Sequence, residues 1–389
     1  MARIAFVGCG FVADYYIDRL SMYPSLELLG VMDRDHSRAE RFANYYGLNI
    51  YDTLEDVLSD ERVQIVVNLT NPRSHYEVSR ACLEAGKHVY SEKPLATSFE
   101  DARDLVELAR AGGLYISSAP CNVLGETAQT IWKLLREDKI GKVRVVYAEM
   151  DDGPIHQMHP ENWVTKSGSA WPFKDEYEVG CTLEHAGYYI TWLVAFFGRV
   201  KTVTSFASIQ IPHKHPDVNP DELAPDLTVA CLHFESGVVA RLTCSVVAPH
   251  DHSVRIIGDK GVLTTNEAWH FESPVYLHAY SRLRFQAEKY PYLRSNVMTR
   301  MLFKLQKYPL PLVRNIAWKK AMNHDYMDYA RGIAELASAI REQRPSRLSD
   351  GFSLHVNEVV LAIQNAGPYS TTYEVTAQFE AMTPMPWAQ

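Results

Sequence analysis

The chain has 389 residues, of which 47% are hydrophobic and 22% are charged, the composition of an ordinary globular protein and not of a disordered or fibrous one. A single hydrophobic core stops growing well below this length, so two domains are expected. The formal net charge of −8 excludes nucleic acid as a general partner, because that role needs a basic surface.

The cysteines also limit the function classes. They are scattered without a Cys-x-x-Cys pair, at Cys9, Cys82, Cys121, Cys181, Cys231 and Cys244. This spacing predicts reduced thiols and no zinc site. The N-terminus lacks an apolar stretch of signal-peptide length, and no window of about 18 uncharged apolar residues occurs. We therefore expect a cytoplasmic protein.

Strands and helices alternate along the first third of the chain. Apolar runs that end at turn residues predict strands at 3–7, 26–33, 63–70, 89–91 and 114–118. Helical spacing of apolar residues predicts a helix after the first strand and further helices at 37–46, 75–83 and 99–111. This alternation predicts right-handed βαβ units, and therefore a doubly wound parallel sheet of the α/β class, a Rossmann domain.

A glycine-rich turn follows the first strand. Gly8 permits the tight turn, Gly10 lets backbone approach a pyrophosphate, and small Ala13 lets the helix pack on the sheet. Phe11 and Val12 open that helix, whose N-terminus faces the anion, so both are candidate cofactor contacts.

An acidic residue ends the second strand about 20 residues further on, at the usual distance for ribose recognition. Asp33 is expected to accept hydrogen bonds from the ribose hydroxyls and to repel a 2′-phosphate, which favours NAD over NADP. Arg34 leaves some ambiguity, because an arginine there can stack on adenine or attract a 2′-phosphate. The alternative is that Asp33 only caps a turn.

A lysine stands at the carboxyl end of the fourth strand, where open α/β sheets bind their ligands. Lys93, between Glu92 and Pro94, can bind the reacting oxygen of a substrate and stabilise negative charge that develops there. The alternative is a surface lysine paired with Glu92.

The segment after the third strand contains further candidates. Thr70, Asn71 and Pro72 are expected to shape a loop against the nicotinamide half of a cofactor. His75 either packs at the start of the next helix or contacts the cofactor.

Three segments together resemble the Gfo/Idh/MocA oxidoreductase family: the opening glycine turn, Thr70-Asn71-Pro72-x-x-His75, and 85–94, which reads Ala-Gly-Lys-His-Val-Tyr-Ser-Glu-Lys-Pro. The resemblance implies a Rossmann domain followed by an α+β domain with a large, mostly antiparallel open sheet that commonly mediates oligomerisation. It also implies a nicotinamide cofactor and a sugar, polyol or nucleotide-sugar substrate. In such proteins the lysine that corresponds to Lys93 binds substrate and cofactor, and a second-domain histidine usually transfers the proton.

The second domain is expected to begin after residue 121. Longer alternating strands are predicted at 142–149, 200–211, 227–234, 238–247 and 253–257, which favours an antiparallel sheet with one wet or partner-covered face. The two domains are therefore placed at 1–121 and 122–389. Asn122, at their junction, is a further predicted cofactor contact.

The segment 180–192 carries the second chemical centre. It resembles the family pattern G-x-x-x-D-x-G-x-H-x-x-D, with Glu184 at the aspartate position and Tyr188 at the histidine position. A tyrosine can transfer the proton if a cation such as Lys93 lowers its pKa. His185 competes for this role, because residues three apart share a helix face. A third possibility is a packed aromatic helix with no catalytic role.

Other polar clusters are weaker candidates. Trp163 lies in a loop that can line a sugar pocket, because aromatic rings stack on sugar faces. The histidines of 213–217 are predicted to be solvated, and those of 250–252 to contact the cleft at most. The sequence therefore predicts no metal site. Glu184, His185 and Tyr188 join Lys93 and Trp163 as candidate substrate contacts.

A basic insertion occupies about 281–320. Arginine and lysine outnumber the single acid, Glu288, by ten to one, and Met298, Met301, Leu302 and Leu305 form one predicted helical face that Pro309 and Pro311 end. Three interpretations remain open: a solvated or oligomer-facing excursion whose apolar stripe packs on the domain, a lid whose arginines bind a diphosphate, and a helix that contacts anionic membrane lipid.

These observations predict an NAD-dependent oxidoreductase that acts on a hydroxyl or keto carbon of a nucleotide or phosphorylated sugar, with Lys93 and Tyr188 beside the reacting carbon. One alternative is a redox-neutral enzyme with tightly bound NAD that catalyses epimerisation, elimination or glycoside cleavage through transient oxidation. Another is a non-catalytic NAD-binding sensor or scaffold. A homo-oligomer, either dimer or tetramer, is expected.

Overall fold

The computed structural model describes residues 1–280, 289–302, 308–313 and 327–389. Two sheets organise these residues, one parallel and one mostly antiparallel. A continuous core joins them across the domain junction.

The first sheet has five parallel strands in the order β2-β1-β3-β4-β5. Its strands are β1 (Ala2–Val7), β2 (Leu26–Met32), β3 (Ile65–Asn68), β4 (His88–Ser91) and β5 (Ile116–Ser118). Its helices are α1 (Phe11–Leu20), α2 (His36–Tyr46), α3 (Leu54–Ser59), α4 (His75–Glu84) and α5 (Phe99–Ala111). The predicted Rossmann topology is confirmed. Because β1, β3 and β4 are neighbours in the sheet, the residues that follow them come together at one edge.

The second sheet has nine strands in the order β13-β12-β11-β10-β6-β9-β8-β7-β14. Only β6 and β9 pair in parallel. The strands are β6 (Val143–Asp151), β7 (Val200–Ser208), β8 (Leu227–Phe234), β9 (Val239–Ser245), β10 (Val254–Gly258), β11 (Gly261–Thr265), β12 (Val275–Ala279), β13 (Tyr308–Leu310) and β14 (Thr371–Glu374). Burial alternates along β8, so one face is packed and the other is open, as predicted.

The remaining helices surround this sheet and close the first domain. They are α6 (Glu126–Arg136), α7 (Phe173–Val179), α8 (Gly187–Phe197), α9 (Pro291–Ser295), α10 (Val297–Leu302), α11 (Ala330–Glu342) and α12 (Asp350–Gln364). The C-terminal helices pack on both domains: α11 contacts α1, β4 and β5, whereas α12 contacts α5, β5, β7 and α8.

The basic insertion is described only in part. Residues 281–288, 303–307 and 314–326 lie outside the described residues, and with them Leu305 and most of the basic side chains. Met298 and Leu302 are 79% and 77% exposed, and Met301 is exposed as well. The packing interpretation is therefore wrong for these three residues. Pro309, one of the two prolines predicted to end the helix, lies instead in the short strand β13, which pairs with β12.

None of the described helices combines the length and the apolar character needed to cross a bilayer.

Candidate active site

A cleft of about 700 Å³ lies between the carboxyl edge of the first sheet and the second domain. Most of the predicted site residues line it. They are Gly10, Phe11, Val12, Thr70, Asn71, Pro72, His75, Glu92, Lys93, Trp163, Glu184, His185 and Tyr188. A cavity of this size accommodates a cofactor's reactive half together with a small substrate.

The glycine turn has the geometry of a dinucleotide cradle. Gly8 has φ +104°, and a Cβ there would lie 2.5 Å from the Leu69 backbone, so no larger residue fits. Gly10 lines the cleft, and a Cβ there would meet open space. Helix α1 begins at the next residue, Phe11, with its free backbone N–H groups at the cleft. The turn therefore fits a bound pyrophosphate.

The Asp33 carboxylate, which is predicted to bind the ribose, has partners within the protein. Asp33 is buried, and its carboxylate accepts hydrogen bonds from the backbone N–H groups of Cys9 (2.9 Å) and Asp35 (2.9 Å). It does not line the cleft, and neither does exposed Arg34. The carboxylate supports the glycine turn because it faces two backbone donors. At this end the cleft is instead lined by Arg38 and Arg41.

His75 fixes the loop that carries Lys93. Its Nδ1 lies 2.7 Å from the carbonyl oxygen of Pro94, and its Nε2 lies 2.9 Å from the carbonyl oxygen of Thr70. The ring is fully buried, and this burial lowers its pKa. The packing role, one of the two predicted for His75, is the one its contacts show.

Lys93 extends across the cleft to the second domain. Its ammonium forms an ion pair with Glu184, and its side chain is only 17% exposed. Burial alone would lower the pKa of Lys93, but the carboxylates of Glu184, Glu92 and Glu176 raise it above its ordinary value.

The pairing of Lys93 with Glu92, the alternative from the sequence, is wrong. The Glu92 carboxylate accepts hydrogen bonds from the Tyr16 hydroxyl (2.6 Å) and from the backbone N–H of Lys93 (3.0 Å). It therefore positions the lysine backbone and leaves the ammonium directed at the cleft.

Sequence reasoning missed Glu176. This residue lies on α7 and is buried in the cleft wall, where burial and the charge of Glu184 raise its pKa. Its Oε1 lies 3.3 Å from His185 Nε2. The sequence signal was the acidic run of Asp175, Glu176 and Glu178, which is typical of a solvated helix. In the fold two members of that run, Asp175 and Glu176, line the cleft, and Glu176 is the buried one.

His185 and Glu184 lie on a π-helical turn, Thr182–Ala186, immediately before α8. Such turns frequently occur at functional sites. His185 is buried, and this lowers its pKa to about 4, an effect that the charges of Lys93 and His252 reinforce and that of Asp152 opposes. Its imidazole is therefore neutral at physiological pH.

Tyr188 faces the cleft from the first turn of α8, and its ring stacks on Trp269 with centroids 4.3 Å apart. Burial raises its pKa, and the nearby thiol and carboxylates of Glu92, Cys121, Glu184 and Asp152 raise it further. The expectation that Lys93 lowers this pKa is wrong, because the lysine ammonium is committed to Glu184.

Asn122 does not line the cleft, so its predicted cofactor contact is wrong. The side chain is fully buried, and its Nδ2 donates hydrogen bonds to the backbone carbonyls of Tyr188 (3.0 Å) and Ala268 (3.2 Å). Asn122 thereby fixes the backbone of Tyr188 beside the segment that carries Trp269.

A strap from the second domain, residues 163–171, covers the glycine turn. Its ends are held by the Trp163–Trp171 ring pair, with centroids 4.8 Å apart. Buried Asp14 on α1 accepts hydrogen bonds from the Thr165 hydroxyl (2.8 Å) and from the Ser167 backbone (3.1 Å) and hydroxyl (2.7 Å). The Ser169 hydroxyl donates to the carbonyl of Cys9 within the turn. The strap therefore closes one side of the cradle.

Comparison with known proteins matches both parts of the chain to family profiles. Residues 2–119 match the oxidoreductase family with an NAD-binding Rossmann fold, and residues 128–264 match the GFO/IDH/MocA C-terminal domain. Among curated relatives, trans-1,2-dihydrobenzene-1,2-diol dehydrogenase of Mus musculus is 25% identical over 270 residues, which cover 69% of this chain and 75% of that protein.

Solved structures share the whole fold. The WlbA dehydrogenase of Bordetella pertussis, in complex with NADH and UDP-GlcNAcA, has a TM-score of 0.67 at 16% identity and covers 93% of this chain and 94% of its own. A 3-ketoreductase of Actinomadura kijaniata, in complex with TDP-benzene and NADP, has a TM-score of 0.68 at 20% identity, with 94% and 98% coverage.

Proposed function

The chain belongs to the Gfo/Idh/MocA family of NAD(P)-binding oxidoreductases, and from this premise we propose that it oxidises or reduces the hydroxyl or keto carbon of a sugar that carries a phosphate or nucleotide. The observation that carries the proposal is the cleft itself. Lys93 from the first domain and Tyr188 from the second face one cavity that begins at the glycine turn.

A nicotinamide cofactor, when bound, supplies the hydride acceptor or donor, which no side chain can provide. The residues present fit such a group: Gly10 and the start of α1 hold the pyrophosphate, and Thr70 and Asn71 line the cleft between this turn and Lys93.

We propose NAD as the cofactor, because Asp33 is fixed beside the turn by two backbone hydrogen bonds and lies 3.6 Å from Arg38, so that its negative charge disfavours a 2′-phosphate there. One observation favours NADP. Arg38 and Arg41 line the same end of the cleft, and a guanidinium binds phosphate well. The Kd values of NAD and NADP, measured for the wild type and for Arg38→Ala, distinguish the two.

Tyr188 is best suited to donate a proton during carbonyl reduction. Because its pKa is raised, the phenol stays protonated throughout the neutral range. The Lys93 ammonium, which is also protonated, stabilises negative charge on the same oxygen once a substrate competes with Glu184 for it.

His185 is the second candidate for proton transfer, in the oxidation direction. Its neutral imidazole can accept a proton, and the Nδ1 atom has no hydrogen-bond partner among the described residues. A pKa of about 4 makes it a weak base at neutral pH, so we assign the main role to Tyr188.

The chemical character of the cleft supports a sugar nucleotide. Trp163, Trp171 and Trp269 provide aromatic faces for sugar rings, while acidic and amide side chains are available for hydroxyl groups. The two related structures hold nucleotide ligands, UDP-GlcNAcA and TDP-benzene.

The proposal is tested by following reduced cofactor at its absorbance band with a substrate panel. UDP- and TDP-sugars, free sugars and trans-dihydrobenzenediol are each supplied with NAD and with NADP. We expect turnover with at least one nucleotide sugar and a KM well below that of the free sugar. Turnover with the cyclic diol alone would contradict the substrate assignment but not the reaction class.

A redox-neutral cycle is the second candidate, and the strap over the glycine turn favours it. A cofactor held under the Asp14 contacts is slow to leave, so it can be reduced and reoxidised within one turnover. Purified protein that retains NAD through desalting and converts a sugar without net NADH would support this cycle. Rapid cofactor exchange would exclude it.

We also propose that the open face of the nine-stranded sheet mediates homo-oligomerisation. Cys231 and Val229 are exposed on β8, on the face that its buried residues leave open. Light scattering of the purified protein tests this, and a monomer at micromolar concentration would contradict it.

A further inference from the structure

A second cavity of about 370 Å³ adjoins the cleft on the side of the large sheet. It shares Asp152 and Trp269 with the cleft, and His250, His252 and Glu267 line it as well. The proposed oxidoreductase chemistry assigns no role to His250, His252 or Glu267.

Strand pairing brings these side chains together. Asp151 and Asp251 form an antiparallel bridge just beyond the paired parts of β6 and β10. Asp152 and His250, one residue further along each strand, are therefore cross-strand neighbours, and His252 follows His250 on the same face. Asp152, His250 and His252 each offer one ligand atom, and these atoms lie within 4.8 Å of one another.

The histidines are oriented as metal ligands are. Glu267 Oε1 lies 2.9 Å from His252 Nδ1, and Glu267 Oε2 lies 3.3 Å from His250 Nε2. One carboxylate thus binds one nitrogen of each ring and leaves the other available. A carboxylate behind a ligating imidazole is the usual outer contact that fixes the ring and its tautomer.

The inward-facing nitrogen of His252 lies beside a carboxylate. His252 is 4% exposed, and its Nε2 finds no hydrogen-bond partner among the described residues, although it lies 3.5 Å from Asp152 Oδ1. With Nδ1–H donating to Glu267, Nε2 directs a lone pair at a carboxylate. Either a proton on Nε2 or a bound metal ion would supply the cation that joins these two acceptors.

We propose that Asp152, His250 and His252 bind a divalent transition-metal ion at the wall of the active-site cleft. Two imidazole nitrogens and one carboxylate oxygen form a donor set that Zn²⁺ accepts, whereas Mg²⁺ prefers oxygen donors alone. Three protein ligands leave one position open to the cavity, where a water or a substrate hydroxyl can bind. The sequence predicted no metal here, because Asp152 lies about 100 residues before the histidines.

The metal site is linked to the catalytic wall through one carboxylate. Asp152 Oδ2 lies 3.9 Å from Nδ1 of His185, which is also buried without a hydrogen-bond partner among the described residues. A metal at Asp152 would therefore hold the second-domain wall in place from the side opposite Lys93. This inference does not depend on the identity of the sugar.

The test measures metal binding directly. The full-length protein is stripped with a chelator, titrated with ZnCl₂ by calorimetry and, after desalting, analysed for bound zinc. We expect about one Zn²⁺ per chain. His252→Ala and Asp152→Asn should each weaken binding by about 100-fold or more, and Glu267→Gln by about 10-fold. Co²⁺ should give visible d–d absorption bands that the same variants lose.

Controls separate loss of the site from loss of the fold. His213→Ala removes an exposed histidine outside the cluster and should bind zinc like the wild type. If His252→Ala fails to fold, His250→Gln replaces a side chain that is 58% exposed and keeps the test valid. Wild-type protein that binds no more zinc than His252→Ala or His250→Gln would overturn the proposal. In that case a proton on His252 Nε2, and not a metal ion, joins this nitrogen to Asp152. NAD binding, measured in parallel, reports the proposed function separately.

Discussion

The two walls of the cleft are built in different ways. The first-domain wall consists mainly of residues that directly follow β1, β3 and β4, three neighbouring parallel strands, with Arg38 and Arg41 of α2 at one end. The second-domain wall combines the strap, α7, a π-helical turn, the start of α8 and residues that follow β6 and β11. The first wall is therefore a property of local sequence, whereas the second depends on long-range packing.

The difference also divides the chemistry. The first wall supplies the cofactor cradle, with Arg38 and Arg41 at one end and the ammonium of Lys93 at the other. The second supplies most of the titratable groups that face Lys93, including Glu176, Glu184, His185 and Tyr188, whereas Glu92 faces it from the first domain. We therefore expect the second-domain wall, which is harder to predict from sequence, to determine substrate specificity.

The largest expected effect comes from removing the ammonium of Lys93 from the first wall. Lys93→Ala should lower kcat/KM by about 1000-fold, because it removes the charge that stabilises the reacting oxygen. Cofactor Kd, measured by fluorescence, should change little, and Lys201→Ala should behave like the wild type. A variant that keeps full turnover would show that the first wall only binds cofactor.

The next largest effect is expected in the second wall at Tyr188, with the adjacent Tyr189 as a control. Tyr188→Phe should lower kcat by about 100-fold through loss of the proton donor. Tyr189→Phe is the matched control, because that ring is also buried but does not line the cleft. If His185→Gln abolishes activity while Tyr188→Phe retains it, the proton is carried by the imidazole instead.

A smaller effect is expected at the strap, where the two domains meet outside the chemistry. Asp14→Asn weakens several hydrogen bonds to a charged group and should speed cofactor dissociation by about 10-fold. Asp18→Asn removes only the exposed ion pair with Lys166 and should have almost no effect. Stopped-flow displacement of bound NADH measures both rates, and equal rates would show that the strap does not restrain the cofactor.

The smallest effect concerns pH. Because the pKa of Tyr188 is raised, its proton-donating form is fully present at neutral pH and is lost only above the ordinary tyrosine value of about 10. The groups that face it are Glu92, Glu184, Asp152, Cys121, Lys93 and Tyr329. The kcat for ketone reduction should therefore be flat across neutral pH. A fall near pH 7 would indicate a group with a lower pKa.

Much of the first domain was predictable from sequence. The strand order, the glycine turn and the position of Lys93 follow from short apolar runs and the residues that end them, because neighbouring parallel strands place these ends at one edge. Even there, Asp33 was assigned to the cofactor, whereas its carboxylate is bound by the backbone of the turn.

The second wall was predicted at Trp163 and where one short segment carried the pattern. Glu184, His185 and Tyr188 lie within five residues and were found together. Glu176 and Asp152 were not, because an acidic run on a short helix and an acid after a strand are both typical of solvated surfaces. The predicted direction of the Tyr188 pKa shift was wrong for a related reason. The sequence does not show that the Lys93 ammonium forms an ion pair with Glu184.

The last helices complete the first domain from the far end of the chain. Helix α11 packs on α1, β4 and β5, and Gly332 lies so close to the Tyr90 hydroxyl that a Cβ there would overlap it. During synthesis at about 5–20 residues per second, the nascent Rossmann domain would therefore wait about 10 to 40 seconds for this covering helix. A fragment ending near residue 121 should accordingly aggregate, and the newly made chain should depend on a chaperone until its C-terminus leaves the ribosome.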